Sequence, residues 1–341
     1  MGVTRQIKVG ILTAPHIEFE QRANTFILKN VRIGIGFHWD RYEDQEFAGT
    51  LTIRNNADGT QTAINTIDLE DYLCSVISSE MNANSPMELL KAHAVISRSW
   101  AIRAMQKPNH EGFDVCADDH CQRYEGLRRM NERAVEAVRA TAGQVLLYND
   151  EICDCRYYKC CGGKTEIWRT CWEDIDVPYI QSVRCDYCKS PSPKILRLVL
   201  NDYDQETKDF RDWKVTYKDE ELNEIIRTKS GIDFGEIIDL IPLHRGASGR
   251  IDQLRIVGTK HTEVIGKELK IRYWLSRSCL YSSWFEVAHE NGVWTLSGHG
   301  WGHGAGLCQI GAAVMATEGK TYEEILTYYY PGTRLNEKMR K

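Results

Sequence analysis

The residues best suited to chemistry lie in one glycine-rich segment near the C-terminal end of the chain. Residues 297–312 read SGHGWGHGAGLCQIGA, so alternating glycines carry His299 and His303 through the segment. Glycine inside a regular element costs about 1 kcal/mol relative to alanine, so a run this dense indicates positive φ angles or a backbone close to a ligand. We therefore predict a loop that places both histidines on the wall of a pocket.

The glycine-rich segment leads into a predicted helix from residue 306 to about residue 317. Backbone amides at a helix N-terminus can bind hydroxyls or stabilise charge that develops on a substrate. Gln309, one turn into the helix, is suited to hydrogen-bond an acetamido group. We predict sugar contact for five residues of the segment: His299, Gly300, His303, Gly304 and Gln309. The alternative is that the glycines only permit a tight crossing of packed chain segments.

A second reactive group falls within 12 residues: His110, Cys116, His120 and Cys121. Zinc takes Cys and His ligands in a tetrahedron, and a site closed by four protein ligands is structural because no position remains for water. We therefore predict a structural zinc site, for which the adjacent His120 and Cys121 must both turn inward. A disulfide between Cys116 and Cys121 and free thiols are the alternatives.

Seven more of the 12 cysteines form a third group: Cys153, Cys155, Cys160, Cys161, Cys171, Cys185 and Cys188. Cys185 and Cys188 have the two-residue gap of a zinc knuckle or a redox pair. Our hypothesis is that they join two of the upstream cysteines, either through zinc in a reducing compartment or through disulfides in an oxidising one. Cys74, Cys279 and Cys308 lie in apolar patterns and are expected to be buried.

The composition of the 341 residues is that of an ordinary soluble globular protein, with 42% hydrophobic and 27% charged residues. A net charge of -5 gives no electrostatic footprint for nucleic acid, and no run of about 18 apolar residues is present to span a membrane. The first fifteen residues hold no apolar stretch long enough for a signal-peptide core. Either the protein is not exported or the sequence lacks its leader.

Short strands, hairpins and helices must position these residues, which predicts an α+β fold. Strands are expected at 6–12, 25–29, 50–54, 60–65, 251–257 and 284–287, with hairpin turns at Asp58-Gly59 and at Asn149-Asp150, the latter joining 144–148 to 152–158. Helices are expected at 68–76, 86–105, 132–139, 218–229 and 306–317, and after Thr321.

Three of the predicted helices carry cap signals. Asp68 is an N-cap candidate, and residues 85–88 are predicted to form a capping box with proline at the first helical position. Glu88 is therefore expected to cap the helix and not to act as a catalytic acid. Residues 321–324 cap the last helix in the same way. His93, inside the second helix, is expected to be a buried histidine with satisfied hydrogen bonds.

Several motifs together resemble one known family. Residues 71–81 (DYLCSVISSEM) and 88–98 (ELLKAHAVISR) resemble its first signature, and 300–315 with 328–333 (YYYPGT) resemble its ending. Two short segments, 162–166 and 248–250, also resemble it. The chain resembles the SpoIID/LytB family of stage II sporulation protein D-like proteins. This implies a SpoIID-like catalytic domain around a groove at 64–333. The residues themselves indicate an N-terminal β-rich segment at 1–63, a charged inserted lobe at about 195–245 and a tail at 334–341.

The resemblance implies a peptidoglycan lytic transglycosylase, which cleaves the bond from N-acetylmuramic acid to N-acetylglucosamine and leaves a 1,6-anhydro end. The family's catalytic glutamate falls on Glu80, expected on a loop between two helices, and Arg98 is expected to face the sugar or Glu80. One carboxyl can protonate the leaving oxygen and then accept the proton of the attacking C6 hydroxyl, whereas ordinary glycosidases use two carboxylates. Burial beside apolar groups such as Met81 must raise the pKa of Glu80 above about 4.3.

The resemblance also implies partners, a location and one alternative function. The partners are peptidoglycan strands and the location is the cell envelope, and some family members carry zinc in the Cys/His region. The first alternative is a non-catalytic cell-wall module that enhances an N-acetylmuramoyl-L-alanine amidase, as LytB-type members are described to do. The residues themselves leave a second alternative, a zinc-dependent hydrolase that uses His299 and His303, although no carboxylate is spaced with them as in a zinc protease motif.

Overall fold

The structure is a computed structural model that describes residues 5–34, 41–118, 120–189, 191–200 and 211–336. The predicted lobe therefore includes ten residues, 201–210, that lie outside the described residues, as do the last five residues of the tail. Across the described part the chain forms nine helices and eighteen strands, and the strands form six small sheets. The predicted α+β class is confirmed.

The N-terminal strands form two sheets. They are β1 (Gln6–Ala14), β2 (Phe19–Gln21), β3 (Thr25–Ile33), β4 (Arg41–Ala48), β5 (Thr50–Asn55), β6 (Gln61–Asp68) and β7 (Val115–Cys116). One sheet has the order β5-β6-β1-β7 and the other the order β2-β3-β4. The hairpin predicted at Asp58-Gly59 is confirmed, since β5 and β6 pair antiparallel and Gly59 has a φ of 84°. β2 and β4 were not predicted.

The helices of the described residues are α1 (Leu69–Glu80), α2 (Met87–Gln106), α3 (Glu132–Ala140), α4 (Trp168–Cys171), α5 (Pro193–Val199), α6 (Asp219–Ser230), α7 (Glu268–Trp274), α8 (Gln309–Thr317) and α9 (Tyr322–Tyr329). Asp68 caps α1 by accepting a hydrogen bond from the backbone nitrogen of Glu70 at 2.9 Å. Thr321 and Glu324 form the predicted capping box of α9. Within the described residues, no helix has both the length and the apolar character that a membrane crossing requires.

The capping box predicted at Ser85 is wrong. Pro86 is the N-cap of α2 and provides no side-chain hydrogen bond. The Ser85 hydroxyl donates instead to the carbonyl of Leu198 at 2.9 Å, and Glu88 accepts a hydrogen bond from the backbone nitrogen of Tyr322 at 2.8 Å. Both side chains therefore bond to distant backbone groups and not to the local backbone of α2. Glu88 thereby connects the first turn of α2 to the first turn of α9.

The remaining strands are β8 (Leu146–Tyr148), β9 (Glu151–Ile152), β10 (Tyr157–Tyr158), β11 (Asp212–Lys218), β12 (Ile237–Arg245), β13 (Ile251–Gly258), β14 (Thr262–Ile265), β15 (Phe285–Glu290), β16 (Val293–His299), β17 (Leu307–Cys308) and β18 (Arg334–Leu335). The predicted hairpin at Asn149-Asp150 is confirmed for β8 and β9, and both turn residues have positive φ angles. The strand expected to continue to residue 158 stops at Ile152. Tyr157 and Tyr158 pair in parallel with β17 instead.

The buried apolar residues form two separate cores. The larger core unites the N-terminal strands with α1, α2, α3, α8 and α9, so the segment 1–63 shares its core with the following helices. The second core contains only residues between Trp213 and Leu296. β11 pairs with β16 from Asp212↔His299 to Lys218↔Val293, which closes this stretch into its own unit. The second unit therefore extends beyond the end of the lobe expected at about 195–245.

Candidate active site and metal clusters

Glu80 is the last residue of α1, not a loop residue, and its half-buried carboxyl is held by two neighbouring segments. Its Oε1 accepts a hydrogen bond from the backbone nitrogen of Arg123 at 3.1 Å and another from the hydroxyl of Tyr157 at 3.0 Å. Burial raises the pKa of Glu80, while the hydrogen bond from Arg123 and the charges of Arg123 and Lys159 oppose the shift. A raised pKa suits a carboxyl that must carry a proton near neutral pH.

Tyr157 connects Glu80 to the glycine-rich segment. Its hydroxyl donates to Glu80, and its carbonyl accepts a hydrogen bond from Nε2 of His303 at 3.0 Å. Its ring lies 4.3 Å from the ring of His93. Tyr157 could not be predicted from the sequence, because its partners are residues 80, 93 and 303 and no local spacing indicates them. Tyr157 is nevertheless the residue through which three predicted motifs meet.

His93 and Gln309 form a buried pair beneath Tyr157. Gln309 Nε2 lies 3.0 Å from Nε2 of His93, and the Ser97 hydroxyl lies 3.2 Å from His93 Nδ1. Since the amide donates, His93 Nε2 accepts and the ring proton is assigned to Nδ1. Burial lowers the pKa of His93 to about 3, so the ring is neutral. The prediction of a satisfied buried histidine is confirmed, whereas Gln309 is 2% exposed and hydrogen-bonds His93 instead of facing a sugar.

His303 holds the glycine-rich segment in place from inside the protein. Its Nε2 donates to the carbonyl of Tyr157, and its Nδ1 accepts a hydrogen bond from the backbone nitrogen of Ala305 at 3.1 Å. Burial, with the charges of nearby arginines, lowers the pKa of His303 well below the ordinary value. Both ring nitrogens are therefore engaged within the protein, which differs from the predicted contact of His303 with sugar.

The glycines of the segment permit close packing, which favours the alternative stated for them. Gly304 has a φ of 88°, and a Cβ added there would lie 2.4 Å from Cζ of Arg250. A Cβ at Gly300, which has a φ of 79°, would lie 2.8 Å from the carbonyl oxygen of Cys160. Side chains are excluded at both positions because other buried segments cross there.

His299 lies apart from His303, at the exposed end of β16. Its Nδ1 is 2.6 Å from Oδ1 of Asp212, and its ring lies 5.1 Å from the ring of Trp284. Among the described residues, His299 and His303 do not belong to a shared group of metal-ligand atoms. The zinc hydrolase alternative therefore lacks its pair of histidine ligands.

Arg98 is buried and pairs with Glu70, not with Glu80. Its Nε and Nη2 donate to the Glu70 carboxylate at 2.8 Å and 2.6 Å, and Nη1 donates to the carbonyl of Gln144 at 3.0 Å. Glu70 lies in the first turn of α1 and Glu80 in the last, about 15 Å along the helix axis. Arg98 therefore holds the opposite end of α1 from the candidate acid.

Two further predicted motifs meet behind the glycine-rich segment. The carboxylate of Glu166 accepts a hydrogen bond from the backbone nitrogen of Ser248 at 2.9 Å, and Arg250 Nη1 donates to the Ser248 hydroxyl at 3.0 Å. Arg250 also donates to the carbonyl of Gly302 at 3.3 Å, and the Glu166 nitrogen donates to the carbonyl of Gly304 at 2.7 Å. All three side chains are buried, so they form a satisfied polar network that fixes the glycine-rich backbone.

The four predicted zinc ligands lie together, with ligand atoms within 4.8 Å of one another. Nε2 of His110 is 3.2 Å from Sγ of Cys121, and Nδ1 of His120 is 3.5 Å from the same sulfur and 3.9 Å from Sγ of Cys116. The adjacent His120 and Cys121 do both turn inward. Ligand atoms on a tetrahedral zinc ion are about 3.3 to 3.8 Å apart, so the donor set and its spacing fit the ion.

The Cys/His cluster lies against a cavity that Arg123 also lines. The cavity has a volume of about 470 Å³ and is lined by His110, Cys116, His120 and Arg123, among others. Glu80 is not a lining residue, but its carboxyl accepts the backbone hydrogen bond of Arg123. The cavity thus reaches the residue whose backbone amide donates to the candidate acid.

A second group of four ligands consists of Cys161, Cys185, Cys188 and Cys308, all buried. Cys308 was expected to be merely buried, and its part in this group was not foreseen. All twelve cysteines lie in the described part of the chain and all are free thiols.

Known proteins resemble this chain over most of its length. Residues 57–148 match a family model described as stage II sporulation protein, SpoIID, and residues 166–306 match a domain of unknown function, DUF8618. Stage II sporulation protein D of Bacillus subtilis is 29% identical over 290 residues, which cover 81% of this chain and 76% of the relative. An uncharacterized protein of Brachyspira hyodysenteriae is 29% identical over 289 residues, which cover 84% and 71%.

The amidase enhancer of Bacillus subtilis is also similar, at 26% identity over 295 residues, which cover 77% of this chain and 40% of the relative. The α+β fold and a glutamate held between two segments at a helix end thus occur in a chain similar to a sporulation protein and to an amidase enhancer. Residues 57–148 thus match the SpoIID family, and the chain is similar over most of its length to stage II sporulation protein D and to the amidase enhancer. The segment that matches the SpoIID model contains Glu80 and the Cys/His cluster.

Proposed function

We propose that this protein is a peptidoglycan lytic transglycosylase that acts in the cell envelope and uses Glu80 as both acid and base. The observation that carries the proposal is the state of Glu80, a half-buried carboxyl with a raised pKa, oriented by Tyr157 and the Arg123 amide. Its position within the segment that matches the SpoIID model supports the assignment.

In the proposed reaction, protonated Glu80 donates its proton to the glycosidic oxygen as the bond to C1 of N-acetylmuramic acid breaks. The C6 hydroxyl of the same sugar attacks C1, and the Glu80 carboxylate accepts the hydroxyl proton. The products are a free N-acetylglucosamine end and a 1,6-anhydro end, and Glu80 is again protonated. An internal nucleophile removes the need for a second carboxylate to activate water, as ordinary glycosidases require.

Zinc at His110, Cys116, His120 and Cys121 would have a structural role in this proposal. Four protein ligands close a tetrahedral site, so the ion supplies no bound water. Arg123 lies two residues beyond Cys121, and its amide donates to Glu80. The ligand loop thereby fixes the position of a hydrogen-bond donor to the acid.

The experiment is mass spectrometry of products after incubation with intact and with peptide-stripped peptidoglycan strands. We expect 1,6-anhydro-muramyl ends from the wild type and none from Glu80→Gln. Glu136→Gln is the matched control, because Glu136 is an exposed glutamate on α3 and its loss should leave product formation unchanged. Absence of anhydro products from the folded wild type on both substrates would overturn the proposal.

The similarity to the amidase enhancer favours a second candidate function. In this candidate the protein is a non-catalytic module that binds the cell wall and increases the activity of an N-acetylmuramoyl-L-alanine amidase. The amidase would then release stem peptides faster in the presence of the protein, and Glu80→Gln would stimulate it as well as the wild type does. A stimulation that requires Glu80 would contradict this candidate.

A further inference from the structure

Four cysteines from three distant parts of the sequence meet inside the larger core. Each of Cys161, Cys185, Cys188 and Cys308 is 0% exposed. Their sulfur atoms lie within 4.8 Å of one another, and Sγ of Cys161 is 3.1 Å from Sγ of Cys188. We propose that these four thiolates bind one zinc ion in a closed structural site, distinct from the Cys/His cluster.

The spacing and the composition of the group fit a tetrathiolate site. With zinc–sulfur bonds of about 2.3 Å, the sulfurs of a regular tetrahedron are about 3.8 Å apart, which lies within the observed range of separations. Thiolates select zinc over harder cations such as magnesium and calcium. Since all four positions are taken by sulfur, the ion has no place for substrate or water.

Backbone and side-chain donors surround the sulfurs. Cys308 Sγ accepts hydrogen bonds from the backbone nitrogens of Cys161 at 3.3 Å and Gly311 at 3.4 Å. Cys161 Sγ accepts from the backbone nitrogen of Gly163 at 3.4 Å. Such donors stabilise the excess negative charge of a zinc ion with four thiolates, and they are the usual outer partners of metal ligands.

Gly311 leaves room for the group. A Cβ at this position would lie 2.8 Å from Sγ of Cys185 and 2.2 Å from the hydroxyl of Tyr329. That hydroxyl is itself 3.2 Å from Sγ of Cys185. The first turn of α8 and the last turn of α9 therefore both close over the sulfurs.

The proposed binding step is not a redox step. Each thiol that is protonated beforehand releases its proton to solvent as its sulfur binds Zn²⁺, and no electron is transferred. Disulfide formation at the same place would require an oxidant to remove two electrons for each bond. The site is also independent of the proposed function, because its metal content can be measured whether or not the protein cleaves glycan strands.

Metal content by mass spectrometry of the purified full chain tests the proposal. We expect about two zinc ions per chain in the wild type, about one in Cys116→Ser and about one in Cys188→Ser. Cys74→Ser is the control, because Cys74 is a buried thiol outside both groups, and it should retain about two. A folded Cys188→Ser that keeps the full zinc content would overturn the proposal.

Two measurements keep the proposal testable if Cys188→Ser does not fold. Cobalt loaded into Cys116→Ser should show the intense visible bands and sulfur charge-transfer absorption of a tetrahedral tetrathiolate site. Thiol titration of unreduced, denatured wild type should find all twelve cysteines reactive once zinc is chelated. Iron in place of zinc, the absence of cobalt bands, or a thiol count lowered by disulfides among these four cysteines would each overturn it.

Discussion

The hydroxyl of Tyr157 lies 3.0 Å from Oε1 of Glu80, although the two residues are 77 positions apart in the sequence. The carbonyl of the same tyrosine accepts the hydrogen bond of His303. The glycine-rich segment therefore supports the candidate acid through an intermediate residue. Besides the contact with sugar predicted for it, the segment therefore has a role in positioning Tyr157.

Tyr157→Phe should lower the rate of anhydro-product formation by about tenfold. The hydrogen bond from Tyr157 lowers the pKa of Glu80, so its removal should raise that pKa further. The alkaline limb of the pH profile reports loss of the acid's proton, and it should move to higher pH. Loss of a hydrogen bond to a charged group costs about 1.5 kcal/mol, which corresponds to the tenfold change.

Tyr158→Phe is the matched control for Tyr157→Phe. The Tyr158 hydroxyl is buried and has no hydrogen-bond partner among the described residues, so its removal should change neither the rate nor the pH profile. Equal effects of the two substitutions on the pH profile would argue against a specific role for Tyr157.

Gly304→Ala should destabilise the protein much more than Gly319→Ala. Both glycines have φ angles near 87°, so both substitutions introduce backbone strain of about 1 kcal/mol. Only at Gly304 does the new Cβ also collide with Arg250, which adds about 2 kcal/mol or more of overpacking, whereas no atom lies within 4 Å at Gly319. Urea unfolding at pH 7 measures the difference, and equal losses of stability would contradict the crossing described for Gly304.

Stability should fall in acid because His93 is buried in its neutral form. Its pKa is about 3 in the folded protein and about 6.5 in the unfolded chain, so between about pH 6.5 and pH 3 mainly the unfolded chain binds the proton. Protonation of His93 in the unfolded chain should therefore lower the free energy of unfolding by about 2 kcal/mol between pH 7 and pH 5. In His93→Gln the decrease over that interval should be smaller by this amount. Parallel urea titrations of both proteins at the two pH values test it.

Arg98→Leu should affect stability and not substrate affinity. The Arg98 side chain is 1% exposed and its partner Glu70 is 35% exposed, so the carboxylate left behind can be partly hydrated. We therefore expect a loss of about 2 kcal/mol, below the 3 to 5 kcal/mol typical of a broken, fully buried pair. The folded Arg98→Leu protein should bind glycan strands with an unchanged KM. A raised KM with unchanged stability would restore the predicted contact with sugar.

His110→Ala should lower the zinc content by about one ion per chain and weaken product formation. Loss of a ligand loosens the loop that carries the Arg123 amide, one of the two donors to Glu80. His16→Ala is the control, because His16 is exposed and distant from the cluster in sequence. Metal analysis and product yields should be measured on the same samples, and an unchanged zinc content would reject the assignment of the ligands.

Local signals were sufficient for most elements and for the Cys/His cluster. Asp68 and Thr321 cap helices as their spacing predicts, and His110 lies with the other three ligands because all four fall within 12 residues of sequence. The capping box at Ser85 failed because a distant carbonyl and a distant amide offered better partners. A short sequence pattern cannot predict that distant groups will compete for the hydrogen bonds of a local cap.

The positions of Arg98, Gln309 and Tyr157 required the tertiary structure. Each makes its main contact with a residue 28, 216 or 77 positions away. The sequence predicts that Arg98 faces the sugar or Glu80 and that Gln309 faces the sugar. Both side chains instead contact residues in the interior of the protein. A resemblance to a family shows which residues belong together and not what each of them touches.

The pairing of β10 with β17 has a consequence for synthesis of the chain. Residues 157–158 can pair only after residues 307–308 have been synthesised. The strand that carries Tyr157 therefore has no strand partner while the intervening chain is still being translated. His303, which fixes the same tyrosine, emerges equally late. A growing chain that has already completed α1 therefore holds its glutamate without its final support. Under the proposed function, chains that end before residue 303 lack the contacts of His303 and β17 with Tyr157 and should be inert toward glycan.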